Sequence, residues 1–246
     1  MMEPNRENPV GENCEAADRM GAFDRVPDRH SPGDDGQAAS GSERSVSLKY
    51  HERPDRISIT GTFLNSLKLH VPEDWTITLG VWWTNVIPKN RADLPKQGFK
   101  IHVSAIPENA EEILKASLGV LLRREVQFKV LTGPEILLEA LSKNHDRGAS
   151  GKFMTIYPAD DDQFRSLLRE LHEATREFSG PYILSDMQYG DNGVLYYRYG
   201  SFVPRYWILP GGSRQYLIES PAGELVPDER NPFYSLPEWV EEPFDG

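Results

Sequence analysis

Several basic and acid–base side chains lie at short spacings on predicted strands of this sequence. The set consists of Lys100 and His102 in GFKIHVSA, Lys129 in VQFKVL, Arg147 and Tyr157 in RGASGKFMTIYP, and Arg198 in VLYYRYGSF. Such cationic side chains could converge on one doubly charged phosphate and leave a proton acceptor and a proton donor beside it. The chemistry that this group suits is elimination of a phosphate ester.

Elimination begins with removal of a peptide Cα–H proton, which is a very weak acid. The base must therefore be held close, and the enolate that develops at the neighbouring carbonyl must be stabilised. Lysine can accept a proton only when it is neutral. Its reference pKa is about 10.4, and burial or nearby cations lower it. A cluster of cations could thus bind phosphate and also favour a neutral lysine.

The two lysine-containing segments alternate polar and apolar residues as strands do. Lys100 and His102 share one face of GFKIHVSA, opposite its apolar residues, and Gln127 and Lys129 do the same in VQFKVL. Taken alone, such a polar face is typical of the solvated side of an antiparallel sheet. The alternation therefore predicts a shared face without giving it a function.

Hydrophobic periodicity predicts the elements that would position these residues. Predicted helices cover residues 108–124, 134–142 and 160–178, and predicted strands cover 99–104, 126–131, 153–157 and 194–199, after strand-like ISITGTF and TITLGVWW. Strand–helix alternation is also compatible with a parallel sheet. The polar and apolar alternation within the strands favours instead an α+β fold with a largely antiparallel sheet and packed helices.

The motifs in combination resemble the N-terminal lyase domain of class III lanthipeptide synthetases, the lyase-kinase-cyclase enzymes. The resemblance covers roughly residues 71–244 and rests on GFKIHVSAIPENAEEIL, FKVL, KNHDRGASGKFMTIYP, GPYILSDMQYG and YYRYGSF. More distantly, the sequence resembles the phosphothreonine lyases that bacterial pathogens inject into host cells. The resemblance implies a phosphothreonine-lyase-like fold, and it implies that the protein is a carbon–oxygen lyase that acts on phosphates.

The resemblance also implies roles for the residues of the set. Lys129 would be the general base, and His102 would be the general acid. Lys100, Arg147 and Arg198 would hold the phosphate of a phosphoserine or phosphothreonine. The products would be dehydroalanine or dehydrobutyrine and free phosphate, formed without a cofactor.

One position departs from the injected lyases, and one further residue could compensate. Those effectors carry a second lysine two positions before the base, where this chain has Gln127. Lys152 is the candidate substitute as a phosphate ligand, and Tyr157 is the implied catalytic tyrosine beside the arginines. In an unbroken strand these two residues would lie on opposite faces. Both could serve one pocket only across a bulge or a strand end.

Two polar groups near these motifs have open roles. His145 and Asp146 lie in a predicted loop beside Arg147, where a solvated turn is the favoured interpretation. Asp186 in LSDMQYG either orients an arginine of the site or caps a turn. The sequence does not choose between these alternatives.

Composition and charge exclude several classes of protein. The 246 residues include 38% hydrophobic residues and carry a formal charge of −11, which argues against a nucleic-acid binder and makes a basic pocket a focused anion site. Cys14 is the single cysteine, and no CxxC or HExxH spacing occurs, so neither a disulfide framework nor a metal site is expected.

The organisation along the chain predicts three parts. Residues 1–45 are polar and aperiodic and are expected to be disordered, residues 46–230 form the lyase domain, and residues 231–246 form a C-terminal tail or linker. No apolar run reaches membrane-spanning length, and no secretory signal is present. We therefore expect a cytoplasmic protein, although export by type III secretion needs no hydrophobic signal.

Three functions remain open on the sequence. The first is a lyase acting on a phosphorylated lanthipeptide precursor, and the stretch SFVPRYW, GELVPDERNPF and LPEWVEEPF, which resembles the exit from the synthetase lyase domain, favours it. The second is an injected effector acting on host kinases. The third is a silent phosphopeptide-binding or leader-peptide-binding module. For the lanthipeptide lyase, we expect a kinase and a cyclase as partners in cis or in trans. This sequence contains neither the Gly-rich loop and H-R-D motif of a kinase nor the Cys and His residues of a cyclase zinc site.

Overall fold

The computed structural model describes residues 63–90, 93–142, 150–191 and 193–244 of the chain. Its helices are α1 Leu64–His70, α2 Ala110–Arg123, α3 Pro134–Ala140 and α4 Asp161–Thr175. Its strands are β1 Thr76–Leu79, β2 Trp83–Ile87, β3 Gln97–Val103, β4 Phe128–Leu131, β5 Met154–Ile156, β6 Met187–Gln188, β7 Leu195–Ser201, β8 Tyr206–Ile208, β9 Arg214–Glu219 and β10 Leu225–Pro227. The predicted disordered segment 1–45 and all but the last residue of ISITGTF lie outside the described residues.

Seven strands form one sheet in the order β1-β2-β4-β5-β3-β7-β6, and each of these neighbouring pairs is antiparallel. A smaller antiparallel sheet has the order β10-β9-β8. The predicted α+β fold with a largely antiparallel sheet is confirmed. The predicted helices are present within two or three residues of their expected ends.

The central strands are in a register that lines up the polar residues. His102 of β3 is opposite Thr155 of β5, and Thr155 is opposite Lys129 of β4. On the other side of β3, Lys100 is opposite Arg198 of β7. Residues paired directly across an antiparallel ladder point to the same face. One face of the sheet centre therefore carries these side chains together.

The opposite face of these strands is apolar and packs against α2 and α4. Phe99 of β3 stacks on Phe164 of α4, with ring centroids 5.0 Å apart. Helix α2 contributes four side chains to the buried core, those of Ile113, Leu114, Leu118 and Leu121. Each such side chain contributes about 1.5–3 kcal/mol when buried. Burial of this apolar face therefore fixes the register of the sheet.

Local signals at the helix starts agree with the sequence. The Asp160 side chain accepts a hydrogen bond from Gln163 N at 2.7 Å and so caps α4, whose first turn also carries Asp161 and Asp162. Pro134 begins α3 as expected for a first helical turn. In the described part of the chain, no helix is both long and apolar enough to span a bilayer.

The small sheet packs at the start of β3, and the C-terminal segment packs on the apolar face of the large sheet. Arg205 joins the small sheet to β3 through Glu219 Oε2 at 2.7 Å and Gln97 Oε1 at 3.1 Å. Farther along, Glu242 accepts hydrogen bonds from the hydroxyl groups of Tyr197, at 2.5 Å, and Tyr234, at 2.9 Å. Residues up to 244 therefore pack on the same body as the large sheet.

Candidate active site

Polar side chains of the sheet centre are buried, which is unusual for the accessible face of a sheet. Lys100, His102 and Arg198 are each less than a tenth exposed, whereas Lys129 is partly exposed. Charged groups at this depth need partners to offset the cost of removing water. The partners come from the turn before β6, the end of β7 and the segment after β10.

The partner of His102 is Asp186, which lies in the turn before β6 and is fully buried. Asp186 Oδ2 makes a short hydrogen bond with His102 Nδ1. Its Oδ1 accepts from Ser185 Oγ at 2.7 Å and pairs with Lys152 Nζ at 3.2 Å. Because a carboxylate accepts, His102 carries a proton on Nδ1, and Nε2 is the nitrogen that can exchange a proton with a ligand.

The charges of His102, Asp186 and Lys152 influence one another. Burial lowers the pKa of His102 to about 3, although the neighbouring Asp186 opposes the shift. Burial also lowers the pKa of Lys152 to about 8, again against the attraction of Asp186. Burial alone would raise the pKa of Asp186, but Lys152 and His102 outweigh it and hold that pKa below its usual range. Asp186 is thus the fixed negative charge of the site.

Lys100 and Arg198 form the second group. Lys100 Nζ donates to Ser201 O at 2.8 Å, and burial holds the pKa of Lys100 well below its ordinary value. Arg198 Nη2 donates to Asp228 Oδ1 at 2.6 Å and to Glu229 O at 3.1 Å. Lys100 and Arg198 therefore lie side by side on β3 and β7.

Lys129 lies on the other side of His102, two strands away. Its Nζ atom lies 4.1 Å from the centroid of the Trp83 ring, which places the end of the side chain over β2. Thr155 separates Lys129 from His102 in the ladder, so their Cα atoms are about 10 Å apart at the usual strand spacing. A ligand bound over Thr155 would lie between the two side chains.

Lys152 and Tyr157 flank β5 at its two ends. The strand begins only at Met154, after a turn in which Gly151 has a φ of 82°, so the alternation of faces does not extend back to Lys152. A strand end therefore lies between Lys152 and the residues of β5. Tyr157 is buried with its ring centroid 5.5 Å from that of Phe202.

Arg147 cannot be placed with this group, because residues 143–149, including His145 and Asp146, lie outside the described residues. Gln127, at the position of the effectors' second lysine, is buried, and its backbone carbonyl accepts from Tyr157 N at 3.2 Å. Of the predicted site residues, the structure brings together Lys100, His102, Lys129, Lys152 and Arg198. Tyr157 follows β5 and packs on Phe202.

The sequence did not identify Asp228 and Arg230 as site residues. The exposed Arg230 lies 4.3 Å from the Tyr216 ring centroid, and its charge helps to lower the pKa of Lys100 and of Lys152 after the larger effect of burial. Both residues occur in PDERN, a segment that by composition is an ordinary polar turn. In the described ranges, no three His, Cys, Asp or Glu side chains gather as a metal site.

Comparison with known proteins gives a match to one family and to one longer protein. The family model described as RamC, N-terminal domain, matches residues 64–245. The probable SapB synthase of Streptomyces coelicolor (strain ATCC BAA-471 / A3(2) / M145) is 38% identical over 193 residues, which cover 78% of this chain and 20% of that protein. The chain therefore spans about a fifth of the length of this relative.

Solved structures give more distant likenesses. The phosphothreonine lyase SpvC from Salmonella has a TM-score of 0.42 and 18% identity, covering 52% of this chain and 70% of that chain. The type III effector and phosphothreonine lyase OspF from Shigella flexneri has a TM-score of 0.42 and 14% identity, covering 54% and 73%. At these TM-scores, neither structure bears on the positions of individual side chains here.

Proposed function

Because this chain belongs to the RamC N-terminal domain family, we propose that it is a lyase of lanthipeptide biosynthesis that eliminates phosphate from phosphoserine or phosphothreonine in a precursor peptide. The observation that carries the proposal is the shared polar face of β3, β4, β5 and β7. This face combines a partly exposed lysine, a carboxylate-bound histidine and buried cations in a chain of net charge −11. A phosphate-binding protein would need the cations alone.

The first role is to hold the phosphate dianion. Lys100 and Arg198 lie on adjacent strands, and Lys152 reaches the same face through Asp186. A guanidinium group can present two parallel N–H donors to phosphate oxygens, and ammonium groups add point charges. Arg147, if it also clamps the phosphate, would act from the segment that the structure does not describe.

The second role is proton removal by Lys129. The neutral amine takes the α-proton, the electron pair left on Cα forms the Cα–Cβ double bond, and the Cβ–O bond breaks. The bonding electrons leave with the phosphate oxygen. Lys129 lies across Thr155 from the histidine, so base and leaving group can occupy opposite sides of the reacting carbons.

The third role is protonation of the departing phosphate by His102. His102 can supply this proton only as imidazolium, which burial disfavours in the ligand-free site. The bound dianion introduces negative charge next to the ring and restores the charged form. No water is consumed, which separates this reaction from phosphatase hydrolysis.

A synthetic phosphopeptide distinguishes the outcomes by mass. Elimination leaves a peptide lighter by one water than its unphosphorylated counterpart, whereas hydrolysis restores the hydroxyl group. We expect the protein to give the elimination product without ATP, and Lys129→Ala to lose turnover by several orders of magnitude with little change in phosphopeptide affinity. Lys115→Ala, at an exposed lysine of α2, is the matched control. Unchanged substrate with retained binding would instead establish a silent binding module.

The chemistry also defines the reactions before and after this one. A kinase must supply the phosphorylated residue, and a cyclase must add a cysteine thiol to the dehydro residue to form a lanthionine. We propose that these partners act in cis or in trans and that the reaction takes place in the cytoplasm, where ATP is available to the kinase. Unphosphorylated precursor should remain unchanged by this protein even with ATP and Mg²⁺.

A further inference from the structure

Asp228 reaches the phosphate-binding residues from outside the large sheet. It follows β10 of the small sheet, and its backbone N donates to Tyr216 O at 2.7 Å, which fixes its position. The residue is 3% exposed, and its side chain extends to β7. A buried carboxylate in a predicted anion site requires a reason, because it repels the anion that the site would bind.

Both carboxylate oxygens of Asp228 have partners. Oδ1 accepts from Arg198 Nη2 at 2.6 Å, and Oδ2 accepts from Ser201 N at 3.2 Å. Glu229 O also accepts from the same Arg198 nitrogen at 3.1 Å. Among the described residues, no hydrogen bond occupies Nη1 or Nε of Arg198. The guanidinium group is therefore held at one corner, and its other N–H groups are left for a ligand.

Gly200 makes this approach possible. A Cβ atom at this position would lie 3.1 Å from both oxygens of Asp228 and 3.4 Å from Arg198 Nη2. The two contacts with the carboxylate would be tighter than ordinary van der Waals packing. The absence of a side chain at Gly200 thus allows the carboxylate to reach the backbone of β7 and the guanidinium group at once.

Asp228 also balances the cations of the site. Lys100 is faced by Arg198, Arg230 and Lys152, which together with burial lower its pKa, and by Asp228, which opposes them. Burial alone would raise the pKa of Asp228, but the cations around it outweigh this and keep it low, so it stays negatively charged. Loss of this charge would make Lys100 give up its proton more readily and would weaken a phosphate contact.

We infer that Asp228 is a positioning residue of the phosphate site, which aims the free N–H groups of Arg198 at the phosphate. This inference rests on the proposed function for the identity of the anion. The alternative is that Asp228 is an internal competitor, which occupies the site until phosphate displaces it. The two roles predict opposite effects of removing its charge.

The test compares the binding of a phosphothreonine peptide with that of its unphosphorylated form. We expect Asp228→Asn to weaken phosphopeptide binding at least tenfold while leaving the unphosphorylated peptide unaffected. As the pH is raised, the affinity of this variant should also begin to fall at a lower pH than that of the parent protein, because Asp228 opposes the lowering of the Lys100 pKa. Gly200→Ala, which displaces the carboxylate without removing it, should act in the same direction and serves as the second variant.

Glu170→Gln is the matched control, because Glu170 pairs with Arg123 and Arg124 between α2 and α4, away from the polar face. It removes an arginine-bound carboxylate and should leave phosphopeptide affinity unchanged. Tighter or equal phosphopeptide binding by Asp228→Asn, or an equal loss for both peptides, would overturn the inference. Because binding is measured directly, this result is independent of whether the parent protein performs elimination.

Discussion

Binding of a phosphorylated peptide should make this protein take up a proton at His102. The pKa of this residue is about 3 in the ligand-free site, so at neutral pH the ring is uncharged. Half-protonation at pH 7 requires about 5 kcal/mol, at about 1.4 kcal/mol for each tenfold change. A charge about 5 Å from the ring contributes about 3 kcal/mol at an effective dielectric constant near 20, so a dianion contributes about 6–7 kcal/mol. The dianion is therefore sufficient to charge the acid that the reaction needs.

Calorimetry in buffers with different ionisation enthalpies counts the protons taken up on binding. Lys129→Ala protein prevents turnover during the titration, and a pH near 7.5 keeps the phosphate almost entirely dianionic. The same measurement with His102→Gln in that background corrects for uptake by Lys100, whose pKa is also lowered by burial. At about 6–7 kcal/mol the pKa of His102 rises to about 7.4–8.1, so we expect a difference of about 0.4–0.8 proton at pH 7.5. Equal uptake by the two proteins would refute the assignment of His102 as the acid.

Three further outcomes test other parts of the structure. Arg198→Ala should raise KM in steady-state assays more than it lowers kcat, because the guanidinium group holds the phosphate both in the bound substrate and in the transition state. Stability measured by chemical denaturation should fall as pH decreases from about 6.5 towards 3, since the unfolded chain binds a proton at His102 before the folded one does, and His102→Gln should flatten this dependence. Phe164→Ala should lower the free energy of unfolding by about 3–5 kcal/mol, measured in the same way, because it removes a fully buried ring stacked on β3.

The local parts of the site could be predicted from the sequence. Alternation in GFKIHVSA correctly placed Lys100 and His102 on one face, and the acidic run at residue 160 correctly marked the start of α4. These features depend on residues within one turn or one strand. The roles of the side chains in catalysis stay predictions.

The contacts between distant segments could not be predicted. His102 meets Asp186 across 84 residues, and Arg198 meets Asp228 across 30, so no local pattern links either pair. The small sheet was also missed, because two of its strands have only three residues and carry too short a pattern to recognise. Lys152 was ambiguous because its face depends on the residue at which β5 begins.

The alternation of faces along β3 has a consequence for how substitutions will be tolerated. On this strand Lys100 and His102 are each flanked in sequence by two residues whose side chains pack in the core, as Ile101 and Val103 flank His102. Saturation mutagenesis of this strand, scored separately for cellular abundance and for dehydration, should give two interleaved classes. Polar substitutions at Phe99, Ile101 or Val103 should deplete the protein, and substitutions at Lys100 or His102 should leave inactive protein in normal amounts.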